Sequence, residues 1–215
     1  MTANLLLEFI GPSGVGKTTF IDTFLAHRPE TWTHRNAIDL SKPYQSTLIH
    51  EYFLQGKLQR VLRESNDMLK RVTRVRYFGR VLTIDVAAMN ALPTPAVLEE
   101  GVFQHFGVEF QKIAKHYPAD FKSFMAPRAF VNLTGDPQRI LDQSKQRGET
   151  RWAMGDTTDG SNDKKLIKQI EDSLAFRQRQ AKELEAYGRP VLTLDAEMPD
   201  EEKLAILDEF IQELQ

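Results

Sequence analysis

Leu5-Leu6-Leu7-Glu8-Phe9-Ile10-Gly11-Pro12-Ser13-Gly14-Val15-Gly16-Lys17-Thr18-Thr19-Phe20-Ile21 carries three signals in a row. A short apolar run predicts a buried strand over about residues 4–10. Gly11 to Thr18 then fills every fixed position of the phosphate-binding loop pattern G-x-x-x-x-G-K-[ST]. Beyond it, Phe20, Ile21, Phe24 and Leu25 recur at helical spacing, so a helix runs from about Lys17 to His27. Strand, glycine loop and helix is the context this loop requires.

The residue types explain the chemistry. Glycines let backbone N–H groups turn inward around a polyphosphate, because no Cβ stands in the way. The helix that opens at the loop adds the positive end of its dipole. Lys17 is a point charge for the β- and γ-phosphates, and the Thr18 hydroxyl is a ligand for Mg2+. The expected nucleotide-binding set is therefore Gly11, Pro12, Ser13, Gly14, Val15, Gly16, Lys17, Thr18 and Thr19, with ATP or GTP and Mg2+ as the bound species.

With 215 residues, 41% of them hydrophobic, the chain is long enough for one domain with a real core. A formal charge of -2 argues against a general nucleic-acid binder. The absence of cysteine excludes disulfides and thiol chemistry. No apolar run is long enough to span a bilayer, and no basic segment leads an apolar signal core. A cytoplasmic protein without a membrane partner is expected. The five histidines show no metal-ligand spacing.

Further along, a second strand is expected near residues 35–40, closing on Asp39, a candidate substrate contact. Residues from about 44 to 92 read as mostly helical. Leu58, Val61, Leu62, Ser65, Leu69, Val72 and Val75 form a stripe, and Gly56 and Gly79 are expected breaks or bends. Ala96 to Glu99 reads as a third strand, and Val102 to His116 as a helix. Ala129 to Leu133 is a fourth strand, followed by Asp136-Pro137 as a helix start. Polar residues 147–162 read as a lid. A long helix from Asp163 to Tyr187 capped by Gly188, a fifth strand from Pro190 to Leu194 and a last amphipathic helix complete the pattern. Strands alternating with helices predict an α/β fold, a five-stranded parallel sheet with helices on both faces.

A phosphoryl-transfer enzyme of this kind needs an acid at a neighbouring strand end, to hold the metal or to take the acceptor proton. Glu99 and Glu100 compete with Asp85 for that role. Asp85 lies within a helical period and reads as a solvated helix carboxylate. Adjacent acids on a strand point to opposite faces, so one of the two faces the phosphates: Glu99, also the second candidate metal ligand, or Glu100. Arg147 and Arg151 on the lid are candidates to stabilise the transferring group. Arg74, Arg76 and Arg80 in the helical insert are candidates to grip an anionic acceptor, Arg76 and Arg80 sharing a helix face.

These features together resemble the nucleoside and nucleotide kinases, broadly the thymidylate-kinase-like group. The resemblance rests on the loop, the insert, the acidic strand end, Val131-Asn132-Leu133-Thr134-Gly135-Asp136-Pro137, the Arg147-Gly148 lid, the long helix and Pro190 to Asp195. It implies ATP as donor and catalysis by Lys17, Thr18, Glu99 or Glu100, and Arg147 and Arg151. Two departures stand out. Glu99-Glu100-Gly101 lacks the arginine that follows the acid in thymidylate and deoxynucleoside kinases. The loop Gly11 to Lys17 also resembles guanylate kinase, but no arginine- and tyrosine-rich GMP segment follows the first helix. The acceptor expected is a small molecule: a nucleotide, nucleoside, sugar or sugar-phosphate. A homodimer is compatible with the sequence. The competing reading is a nucleotide-dependent switch acting on a protein partner. The chain lacks both a base-reading Asn/Thr-Lys-x-Asp segment and the serine-glycine-glycine signature of ABC-type ATPases.

Overall fold

The structure, a computed structural model, describes residues 5–28, 31–64, 66–91, 94–146 and 163–214. In chain order the elements are β1 (Leu6–Ile10), α1 (Lys17–Ala26), β2 (Thr33–His34), a 3-10 turn (Arg35–Ala37), α2 (Leu48–Glu64), α3 (Met68–Ala91) and β3 (Ala96–Glu99). They continue with α4 (Val102–His116), α5 (Pro118–Met125), β4 (Arg128–Thr134), α6 (Pro137–Gln146), α7 (Asp163–Ala186), β5 (Val191–Asp195) and α8 (Asp200–Glu213). The strands form one five-stranded parallel sheet flanked by helices, in the order β2-β3-β1-β4-β5. β2 pairs with β3 through Thr33–Ala96 and His34–Val97. β4 pairs with β5 from Phe130–Val191 to Thr134–Asp195. All five β1 residues are buried, as a near-continuous apolar strand inside a parallel sheet should be.

Two compact units divide the chain, Met1–Glu8 with Arg28–Ala129, and Phe9–His27 with Phe130–Gln215. The first contains the helical insert. Its core is aromatic: Phe53 meets Phe110 at 4.7 Å and Phe106 at 5.3 Å, and Phe103 packs edge-on against Phe110 at 4.9 Å. Each such pair contributes about 0.5–1.5 kcal/mol beyond its area burial. A second cluster joins Leu6, Ile38, Ala87, Ala88, Ala96 and Leu98. In the other unit Phe9 packs edge-on against Phe20 at 6.1 Å. Asp136 caps α6 as expected, its carboxylate accepting the Arg139 N–H at 2.9 Å. Gly188 ends α7 in the left-handed region, φ 71°.

Several expectations are corrected. The second strand is only Thr33–His34, so Asp39 lies beyond it, in a turn where its carboxylate accepts Ser41 N–H and O–H at 2.9 and 2.6 Å. The local Asx turn from Asp39 to Ser41 outcompetes an edge strand here. Gly56 and Gly79 break nothing, because they sit inside α2 and α3. Gly56 is there because a Cβ would meet Glu109 Cγ at 2.9 Å. The apolar stripe is not one face of one helix. On α2 Val61 is buried while its neighbour Leu62 faces outward, and Leu69 and Val72 are exposed on α3, after the break between the two helices. α5 had no sequence expectation. The lid, Arg147 and Arg151 lie outside the described residues.

Candidate nucleotide-binding and acidic sites

The loop has the conformation its glycines predict. Gly11, Gly14 and Gly16 take φ of 152°, 83° and 99°. At Gly14 a Cβ would fall 2.3 Å from Ser144 Oγ and 3.2 Å from the Ile140 carbonyl oxygen, so the loop lies close against α6 and a side chain there would crowd it. Gly16 caps α1 with no side-chain hydrogen bond, and no acidic residue occupies the first turn to compete for the helix dipole. Lys17 is buried, its ammonium donating to the Gly11 and Pro12 carbonyls at 3.1 and 2.9 Å. Those contacts hold the amine inside the loop. Thr18 and Thr19 are exposed at the start of the helix. Backbone cradle, lysine and a hard hydroxyl oxygen suit a polyphosphate and Mg2+. Among the described residues, no three His, Cys, Asp or Glu side chains converge as a metal-binding group.

The acidic strand end lies in the other unit. Glu99 closes β3. Arg35, just past β2, donates to its backbone carbonyl and lies 3.6 Å from its carboxylate. Glu100 takes φ 53°, the one described non-glycine residue with positive φ. That conformation costs of order 1 kcal/mol and aims the two acids differently. The Glu100 carboxylate accepts from Tyr77 Oη at 3.4 Å and lies 3.8 Å from His105 Nε2, while Tyr77 and His105 meet at 2.9 Å. Arg35, Tyr77 and His105 had no signal in the sequence, because they come from three separate elements.

Asp85 is not solvated. It is 1% exposed on α3 and forms a bidentate pair with Arg128, 2.8 and 2.6 Å. His50 Nε2 meets the same carboxylate at 2.9 Å, and His50 Nδ1 accepts from Thr47. Arg128 also donates to the Phe124 carbonyl and stacks on its ring, with Cζ 4.1 Å from the centroid. Glu8, fully buried on β1, completes the cluster at 3.9 Å from Arg128. The helical period of Asp85 was visible, but its cation lies on a distant strand and could not be read from spacing.

Burial raises both carboxyls, with opposite outcomes. At Asp85 the Arg128 charge and the hydrogen bonds from His50 and Arg128 outweigh burial and bring it down to about 2. At Glu8 burial and the Asp85 charge outweigh Arg128 and two backbone amides, and it rises to about 7. Asp85 therefore contributes stability above its ordinary value of 3.8 that is lost as pH falls through about 2. Glu8 contributes stability below 4.5 that is lost as pH rises through about 7. Thermal denaturation from pH 5 to 8 is expected to show a falling Tm that Glu8→Gln flattens. A decline of the same slope in the variant would remove Glu8 as its source.

Of the acceptor candidates, Arg74 pairs with Glu64 at 3.0 Å on the surface. Arg76 and Arg80 are exposed on α3, and neither lines the small cavity formed by Arg35, Val81, Ile84, Asp85, Leu98 and Glu99.

Sheet order and loop together define a P-loop fold. No protein-family model matches this chain, and no curated protein sequence does. Among solved structures, it is similar to shikimate kinase from Bacteroides thetaiotaomicron, with 13% identity over 97% of this chain and 98% of that one and a TM-score of 0.46. It is also similar to deoxyadenosine kinase from M. mycoides bound to dCMP and dCDP, with 11% identity over 97% of this chain and 100% of that one and a TM-score of 0.49. At that level of likeness neither speaks to individual residues of the site. No described helix is long and apolar enough to cross a membrane.

Proposed function

We propose that this chain is an ATP-dependent small-molecule kinase of the thymidylate-kinase-like group, transferring the γ-phosphoryl group to a hydroxyl or phosphate acceptor. The observation that carries the reading is the complete phosphate loop, with Lys17 held against the Gly11 and Pro12 carbonyls at the mouth of α1. Lys17 neutralises the charge that develops on the phosphates, and backbone N–H groups of the loop bind their oxygens. The Thr18 hydroxyl would be a hard-oxygen ligand for Mg2+, which would supply further charge neutralisation.

For a hydroxyl acceptor, the Glu99 carboxylate takes the proton as the acceptor oxygen bonds to the γ-phosphorus. The bond from that phosphorus to the bridging oxygen breaks, and ADP leaves. Arg35 orients Glu99 from the backbone side. Glu100, tied to Tyr77 and His105, contacts the acceptor. In this reading Arg74, Arg76, Arg80, Arg147 and Arg151 bind anionic groups and Asp39 contacts the acceptor.

ADP release from Mg-ATP across nucleosides, nucleotides, sugars and sugar-phosphates tests the reading. One acceptor class is expected to raise turnover well above the basal rate. With that acceptor, Glu99→Gln should cost about 10²–10⁴-fold in kcat, the range of a positioned general base, and Glu100→Gln markedly less. A larger loss in Glu100→Gln reassigns the base. ATP binding with turnover indifferent to every acceptor would favour a nucleotide-dependent switch.

A further inference from the structure

Helix α4 follows directly from the acidic strand end, and its N-terminus is capped from a distance. Its cap position is Gly101, which has no side chain to bond the buried first-turn amides. Glu8 takes that role from β1. Its Oε1 accepts the Phe103 N–H at 2.9 Å and the Gln104 N–H at 3.2 Å. The approach is close enough to dictate the residue at 101. A Cβ there would lie 2.5 Å from Glu8 Cδ and 2.7 Å from Oε2. The carboxylate is fully buried, and Oε2 has no hydrogen-bond partner. The charged groups around it are Arg128 on β4 and Asp85 on α3, with His50 on α2 reached through Asp85.

The geometry points to Glu8 as the positioning residue of the acidic turn: by fixing the first turn of α4 against Gly101, it holds the backbone that presents Glu99 and Glu100. This inference rests on the kinase reading, in which those two acids face the acceptor. Glu8 itself touches no substrate and is sealed from solvent. Its carboxylate complements the helix dipole as well as accepting two amides, so loss of its charge loosens the cap without removing the acceptor oxygen. The raised value near 7 places that loosening in the neutral range.

The test compares wild type, Glu8→Ala, Glu8→Gln and Lys17→Ala. Its readouts are hydrogen exchange over residues 99–104, affinity for a fluorescent ATP analogue, and Mg-ATP turnover with water as acceptor from pH 5.5 to 8.5. Glu8→Ala is expected to speed exchange over 99–104 by about tenfold, the scale of a lost cap. It should lower turnover by about 10–100-fold while nucleotide affinity stays within about twofold, as for a group acting through its neighbours. Glu8→Gln keeps the acceptor oxygen and the shape. At pH 8 it should exchange at a rate between those of wild type and Glu8→Ala, and it should flatten the pH profile of turnover between pH 6 and 8, which a purely structural residue would not do.

Unchanged exchange and turnover in Glu8→Ala would overturn the inference. So would an unchanged pH profile in Glu8→Gln, the variant that decides the matter if Glu8→Ala does not fold. Loss of nucleotide affinity in parallel with turnover would also overturn it, making Glu8 a general fold residue. If Lys17→Ala keeps full turnover, the kinase reading has failed instead, and exchange over 99–104 still tests Glu8 as the cap of the turn.

Discussion

Lys17→Ala is expected to lower Mg-ATP turnover by about 10²–10³-fold, the cost of removing one preorganised charge from a developing anion. The structural reason is the confinement of the side chain. Lys17 is 5% exposed, and its ammonium is held by two loop carbonyls, so the charge is fixed inside the phosphate cradle. Preorganisation of this kind costs no rearrangement at the moment of reaction. Thermal stability should change little, because alanine favours the helix that Lys17 opens. Lys17→Arg should rescue poorly, since a planar guanidinium does not fit the space of a compact ammonium. Calorimetric nucleotide titration and coupled ADP release check both variants. Retained turnover in Lys17→Ala, with the protein folded, would mean that the loop binds phosphate without taking part in chemistry.

The second large effect concerns stability. Arg128→Met is expected to destabilise the protein by about 3–5 kcal/mol, the usual cost of stranding a buried charge. Arg128 is 1% exposed and is the partner of both Asp85 and Glu8. Among the described residues, Asp85 then keeps His50, and Glu8 keeps two amides. For a chain of this size the loss corresponds to a Tm drop of about 6–20 °C. Adding Asp85→Leu to Arg128→Met should recover part of the loss, because an apolar pair replaces a broken ionic one. Chemical denaturation of the two single variants and the double variant gives the coupling directly. Additive losses would show that the pair is not energetically linked, whatever its geometry.

The reach of sequence reading varies with the origin of each feature. Lys17, Gly14 and Thr18 were legible because the loop is local: every group in it lies within eight residues, and its conformation follows from glycine and helix geometry. β3 and Glu99 were legible from a proline-bounded apolar run. β2 was placed too late, since two paired residues leave no periodic signal. The helical insert was recognised, but its break was assigned to glycines. Gly56 instead answers to Glu109 on α4, a neighbour that spacing along α2 does not reveal. Asp85 was assigned to a helix correctly and to solvent wrongly, for the same reason.

By itself the sequence determined the parallel α/β architecture, the phosphate loop and the acidic end of β3, all properties of contiguous residues whose backbone geometry and periodicity are set locally. Only the tertiary structure decided which carboxylates are buried, that Arg128 joins Asp85 and Glu8, that Arg35, Tyr77 and His105 gather around the two glutamates, and that Glu8 caps a helix nearly a hundred residues away. Burial and charge pairing depend on which elements fold against one another, and the electrostatic energy of a side chain is fixed by those neighbours rather than by its place in the chain.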